Sequence, residues 1–153
     1  DAFKFAKMGG TIDLTCGESE SKFHSVADAV KKAKKEGVPM EKVTMSSDGQ
    51  GSWSNYDAEG KLVEIGVSDV DTIYRQIVYM VKEENMDLEE LLALGTKNPA
   101  MALELYPKKG AVKEESDADI LIMNEDLSLD TVIAMGVPMM RDGKILKKGT
   151  YEK

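Results

Sequence analysis

Two short segments with the same alternation constrain this chain most. In residues 11–15, Ile12 and Leu14 alternate with Thr11, Asp13 and Thr15; in residues 42–46, Val43 and Met45 alternate with Thr44 and Ser46. Successive strand side chains point to opposite faces, so each segment carries one apolar face and one face of small polar groups. Between them, Val26, Ala29, Val30 and Ala33 recur at helical spacing in residues 25–36. Ser25 is the expected N-cap, Gly37 the terminator, and Pro39 blocks any return of the helix. Strand, helix, strand at this separation is a βαβ unit, which predicts parallel pairing. The polar faces suit the upper lumen of a barrel, and the apolar faces suit contact with outer helices.

The second segment runs into Ser46-Ser47-Asp48-Gly49-Gln50-Gly51-Ser52. A carboxylate at a strand end, followed by glycines that free the backbone, suits a metal or proton-transfer site. Asp48 falls on the polar face with Thr44 and Ser46. Asp-Gly is also an ordinary turn signal, and spacing alone leaves both readings open. A calcium-binding loop is excluded. Counted from Asp48, the sixth position is Trp53 where that loop needs glycine, and the preceding element is a strand.

Length and charge narrow the classes further. The 153 residues suffice for one ordinary domain with a real core. A net charge of −8 argues against nucleic acid or an anionic membrane as the main partner. The single cysteine, Cys16, excludes an internal disulfide and suits a reducing cytoplasm. No apolar run approaches the ~18 residues of a membrane span, and no signal peptide is visible at the start. A cytoplasmic location is the expectation. Residues 1–7 lack an initiator methionine and read as the last turns of a helix closed by Gly9-Gly10, so a fragment is expected.

The rest of the chain divides in two. A polar loop is expected over residues 16–24, which include the only histidine, His24, and a long loop from Asp48 to about residue 66. Three helices are expected next: residues 69–84 carrying Val70, Ile73, Ile77, Met80 and Val81; residues 87–94 with Asp87 as cap; and a third capped by Thr96, burying Met101, Ala102, Leu105 and Tyr106. Core filling explains the many methionines here. From residue 108 the pattern becomes strand-like at 118–123 and 131–135, then at 137–141 and 144–147 around the hairpin signal Asp142-Gly143. This tail reads as a small β module.

Together these residues resemble a known family. Gly9-Gly10-Thr11-Ile12-Asp13-Leu14-Thr15 and Val43-Thr44-Met45-Ser46-Ser47-Asp48-Gly49-Gln50-Gly51-Ser52 are similar to the C-terminal part of isoaspartyl (β-aspartyl) dipeptidases, metal-dependent members of the amidohydrolase superfamily. The likeness continues through Ile65-Gly66-Val67, Ser116-Asp117-Ala118-Asp119-Ile120-Leu121-Ile122-Met123 and Val137-Pro138-Met139-Met140-Arg141-Asp142-Gly143-Lys144. The tail motifs are superfamily-wide; the Ser-Ser-Asp-Gly-x-Gly-Ser run is the specific part.

The resemblance implies an α/β fold: the C-terminal part of a (β/α)8 TIM barrel over residues 1–107, then part of a small β-sandwich over residues 108–153. A whole barrel needs about 250 residues, so this chain would supply its last two strands and following helices. It implies hydrolysis of β-aspartyl dipeptides at a pair of zinc ions. Asp48 would be a metal ligand and the proton-handling catalytic residue. Ser52 would hold a substrate carboxylate, with Gly49 and Gly51 allowing close backbone approach. The family's remaining ligands, a His-x-His pair, a carboxylated lysine and two further histidines, have no counterparts here, and His24 matches none of them. The chain alone is therefore expected to be inactive and to bind no zinc tightly, its partners being the dipeptide, the N-terminal part of the same enzyme and further copies in a homo-oligomer.

Two other functions compete. One is another metal-dependent amidohydrolase, dihydroorotase-like or deacetylase-like; Ser52 and the glycine spacing favour the dipeptidase. The other is a non-enzymatic α/β module binding a partner through its methionine-rich helices. The polar-faced strands speak against it, because Asp13 and Asp48 would lose the lumen that solvates or ligates them.

Overall fold

In the computed structural model, which describes residues 1–17 and 19–149, the two alternating segments become adjacent parallel strands. β1 (Ile12–Thr15) pairs with β2 (Val43–Ser46) in the register Ile12↔Val43 to Thr15↔Ser46. Helix α2 (Glu20–Lys35) makes the crossover, after α1 (Ala2–Lys7), and a 3-10 turn (Met40–Lys42) leads into β2. The βαβ unit is thus present as expected.

The two faces of this small sheet separate as the alternation predicts. Val43 and Met45 are buried beneath the helices, packed with Ala6, Val26, Ala27, Val30, Ala33, Met80, Leu91 and Leu94. On the other face, Asp13 and Thr15 stand exposed. There the Asp13 carboxylate accepts from Thr44 Oγ1 at 2.7 Å and from Ser46 Oγ at 2.5 Å. One carboxylate bonding two hydroxyls of the neighbouring strand fixes the register, because a one-residue slip would turn both hydroxyls to the other face.

Several boundaries differ from expectation. α2 begins at Glu20, with Ser19 rather than Ser25 as N-cap; Ser19 Oγ accepts from the Lys22 backbone N–H at 3.2 Å. Ser25 lies inside the helix and donates to the Lys22 carbonyl at 2.9 Å, the local back-bonding available to a mid-helix serine. His24 consequently sits on a helix, not in a loop. The stretch expected as a long loop after Asp48 is an antiparallel hairpin, β3 (Ser52–Tyr56) with β4 (Leu62–Val67). Its turn is set by Asp57, whose Oδ1 accepts from the Glu59 and Lys61 backbone N–H groups, and by Gly60 at φ +80°.

Three helices follow, α3 (Thr72–Lys82), α4 (Leu88–Gly95) and α5 (Lys97–Ala102). Asp87 caps α4 as expected, accepting from the Glu90 N–H at 2.8 Å. The expected burial around α5 is corrected: Met101, Leu105 and Tyr106 are 47%, 45% and 41% exposed, and Ala102 is exposed too. The helix ends at Ala102, so the later residues fall off its periodic face. The rotation of the helix is set instead by buried Asn98, whose Nδ2 donates to the Met40 and Val43 carbonyls at 2.8 Å each. A buried amide must find such partners, and here they tie α5 to the start of β2.

The tail forms an antiparallel sheet of four strands in sequence order, β5 (Ile120–Met123), β6 (Leu129–Ala134), β7 (Val137–Arg141) and β8 (Lys144–Ile145). Asp142 and Gly143, at φ +49° and +69°, make the β7–β8 turn that the sequence signals. Tyr74 Oη on α3 donates to the Leu127 carbonyl at 2.7 Å and joins the helices to this sheet. Among the described residues no helix is long and apolar enough to cross a membrane.

Candidate active site

Asp48 lies two residues beyond the C-terminal end of β2, in left-handed backbone at φ +49°, and Gln50 follows at φ +65°. Aspartate tolerates this conformation better than most side chains. The loop is held by Gly51 N–H to the Asp48 carbonyl at 2.9 Å, and by reciprocal bonds of Gln50 and Gly51 with Ser68, at 2.8 and 2.9 Å. Both glycines serve close packing within the loop. A Cβ on Gly49 would lie 2.8 Å from Val70 Cγ1, and one on Gly51 would lie 2.9 Å from Asp48 Oδ1. The space these glycines leave is filled by Val70 and by the Asp48 carboxylate itself.

Asp48 opens onto a cleft of about 520 Å³ between the β1–α2 connection and the β3–β4 hairpin. Thr15, Cys16, Gly17, Ser19 and Lys22 form one side; Trp53, Asn55, Glu64 and Ser68 form the other. The hairpin register places Trp53 opposite Gly66 and Asn55 opposite Glu64, so these four share one face. Asn55 Nδ2 donates to Glu64 Oε2 at 3.1 Å. Ser52 starts β3, exposed and paired with Val67 on the face opposite Trp53, and does not line this cleft. The hairpin residues of the cleft wall escaped the sequence reading, although the Asp57-to-Gly60 turn was a signal for them.

Cys16, in the cleft wall, and His24 are the other reactive side chains near this end of the sheet. The Cys16 thiol is 3% exposed, and burial, reinforced by the Asp13 charge, pushes its pKa up to about 12. It is neither a nucleophile nor a thiolate ligand at neutral pH. His24 is outside the cleft, with Nδ1 2.7 Å from Tyr79 Oη. Among the described residues no three His, Cys, Asp or Glu side chains stand together to hold a metal. A zinc centre needs about four nitrogen, sulfur or oxygen ligands; Asp48 with its present neighbours does not make one up.

A strand-end carboxylate on an open cleft is thus carried by a parallel βαβ unit, followed by helices and an antiparallel sheet, an α/β architecture. The amidohydrolase family model matches residues 4–146, and the chain belongs to that family. It is similar to a solved β-aspartyl dipeptidase from Fervidobacterium islandicum AW-1 in complex with β-Asp-Leu dipeptide. The two are 35% identical with a TM-score of 0.81, over 97% of this chain and 38% of that one. A second structure of the dipeptidase from that organism gives 32% identity and a TM-score of 0.70, over 97% of this chain and 36% of the other. N-acetylglucosamine-6-phosphate deacetylase from Pasteurella multocida, 19% identical with a TM-score of 0.58 over 75% of this chain and 34% of its own, shares the fold. A dihydroorotase from Methanosphaera stadtmanae is 30% identical over 88 residues, 58% of this chain and 17% of that protein. The chain thus spans well under half the length of each of these relatives.

Proposed function

We propose that this chain supplies the C-terminal part of a zinc-dependent β-aspartyl dipeptidase, with residues 1–107 completing a TIM barrel and residues 108–153 contributing to a β-sandwich. The observation that carries the reading is Asp48 at the end of β2, open to the cleft, in a chain that resembles the Fervidobacterium dipeptidases over 97% of its length. The substrate is a β-aspartyl dipeptide, and the reaction is hydrolysis of the amide at the aspartyl side-chain carbonyl. The Asp48 carboxylate takes a proton from the water that attacks the carbonyl carbon. It returns that proton to the amine nitrogen as the C–N bond breaks, releasing aspartate and the second amino acid. Asp48 is also assigned as one ligand of the zinc pair, whose other ligands come from outside this chain. A cytoplasmic homo-oligomer completes the reading.

The match to a dihydroorotase favours a second reading within the same family, a hydrolase of cyclic amides. The test is the purified complete polypeptide that carries this chain, assayed on β-Asp-Leu, dihydroorotate and N-acetylglucosamine 6-phosphate. Turnover of β-Asp-Leu well above the other two is expected. Preference for dihydroorotate or the acetylated sugar would overturn the dipeptidase reading.

A further inference from the structure

Asp48 is presented from left-handed backbone, and the contacts that hold it there reach into α3. We infer that Thr72, the first residue of α3, is a positioning residue for the Asp48 carboxylate, acting through the Ser47 carbonyl. The inference rests on the proposed place of Asp48 in the site, and it holds whether that carboxylate moves a proton or binds zinc. Thr72 is 0% exposed, and its hydroxyl lies 3.4 Å from the Ser47 carbonyl and 3.3 Å from the Asp69 carbonyl. One buried hydroxyl thus spans the Asp48 loop and the segment entering the helix.

The Ser47 carbonyl belongs to the rigid peptide plane that also carries the Asp48 nitrogen and Cα. Fixing that carbonyl therefore fixes the axis from which the Asp48 side chain departs. On the other side of Asp48, Gln50 and Gly51 bond the Ser68 backbone at 2.8 and 2.9 Å. Asp48, at φ +49°, is clamped from both sides by one short segment, residues 68–72. Packing closes the clamp: a Cβ on Gly49 would lie 2.8 Å from Val70 Cγ1 and 3.2 Å from Val70 Cα. Water does not reach the Thr72 hydroxyl to replace it, so its removal takes a donor from the Ser47 carbonyl and frees the plane to turn. Gln76 supplies the contrast. One turn further along α3 and also 0% exposed, it donates from Nε2 to the Phe23 carbonyl at 3.0 Å, which ties α3 to α2 rather than to the Asp48 loop.

The experiment measures kcat/KM on β-Asp-Leu, zinc affinity by competition with a chelator, and Tm, in variants of the complete polypeptide. Thr72→Val keeps the shape of the side chain and removes the hydroxyl. It is expected to lower kcat/KM and zinc affinity about tenfold each, the lower end of what loss of an orienting outer partner costs. Thr72→Ser keeps the hydroxyl and should restore most of both. Gln76→Leu loosens the same helix elsewhere, and should lower Tm while leaving kcat/KM and zinc affinity at their wild-type values. Val70→Ala, at a residue 63% exposed, opens the packing on Gly49 and should lower both values in the same direction even if Thr72→Val does not fold. A Thr72→Val enzyme with a lower Tm alone would overturn the inference and leave Thr72 as a core residue. Equal losses in Thr72→Val and Gln76→Leu would also overturn it, by tracing the effect to α3 as a whole. If the wild type binds zinc but does not cleave β-Asp-Leu, the dipeptidase reading fails, and the zinc comparison still decides the role of Thr72. A wild type that does neither would overturn both.

Discussion

At the scale of single residues, Asp48 has what a proton-transfer group requires. It is exposed to a cleft rather than paired, and no salt bridge occupies it among the described residues. Its backbone is held in the left-handed region by hydrogen bonds from the loop to Ser68, so the carboxylate is presented by a braced turn and not by a flexible one. Asp48→Asn preserves size and tolerance of the left-handed region but removes the proton acceptor. In the complete enzyme kcat should fall by the ~10²–10⁴-fold associated with loss of a general acid–base group. The zinc content, measured by metal analysis of the same preparation, should stay largely intact. Near wild-type kcat would leave Asp48 as a turn residue. Cys16 shows the opposite disposition: burial raises its pKa to about 12 and makes it a core side chain that happens to border the cleft.

At the scale of elements, the β1–β2 pair is held by a small polar network on an otherwise open face. Asp13 receives hydroxyls from Thr44 and Ser46, and Thr44 Oγ1 also lies 3.3 Å from the Ile12 carbonyl. Asp13→Ala should lower stability by about 1 kcal/mol, less than the ~1.5–3 kcal/mol of a hydrogen bond to a charged group because water screens the exposed carboxylate. Urea denaturation of the complete enzyme would measure it, with kcat per folded molecule expected to be spared. An equal loss of kcat per folded molecule would show that Asp13 belongs to the site instead. The hairpin is the other decisive element. Its cleft face carries Trp53, Asn55, Glu64 and Gly66, while Val63, Ile65 and Val67 remain more than 60% exposed on β4.

At the scale of the whole molecule, carboxylates join the layers. Glu84, just after α3, pairs with Lys31 of α2, and this contact above all holds the Glu84 carboxyl below the usual carboxylate range. Asp119 is likewise held low by Lys109 and by the Met135 backbone N–H, which together anchor the C-terminal sheet to the segment leaving α5. Asp126 is held low by Ser128 in the β5–β6 turn. A carboxyl whose pKa is depressed by folding stabilises the fold above its ordinary pKa of about 4 and stops doing so as pH falls through the folded value. The Tm should therefore be level near neutral pH and drop as the pH goes below about 4. Glu84→Gln should flatten part of that acid limb while lowering Tm at pH 7. An acid limb identical in Glu84→Gln and wild type would rule out the α2–α3 pair as a contributor.

Much of this was legible in the sequence, for a physical reason. Strand alternation, glycine punctuation and capping are local: they depend on dihedrals and on neighbours a few residues away. Hence the βαβ unit, the Asp87 cap, the Asp142-Gly143 turn and the position of Asp48 at a strand end could all be read from residue order. Ser19 displaced Ser25 as the α2 cap because both serines satisfy the local rule, and only the path of the chain decides between them. The tertiary structure alone decided what depends on long-range contact. It set the rotation of α5 through Asn98, the pairing that turned an expected loop into a hairpin, and the meeting of Trp53 and Lys22 across the Asp48 cleft. Those contacts join residues far apart in the chain, and no local preference encodes them; they follow from how the apolar faces pack and which buried polar groups then find partners.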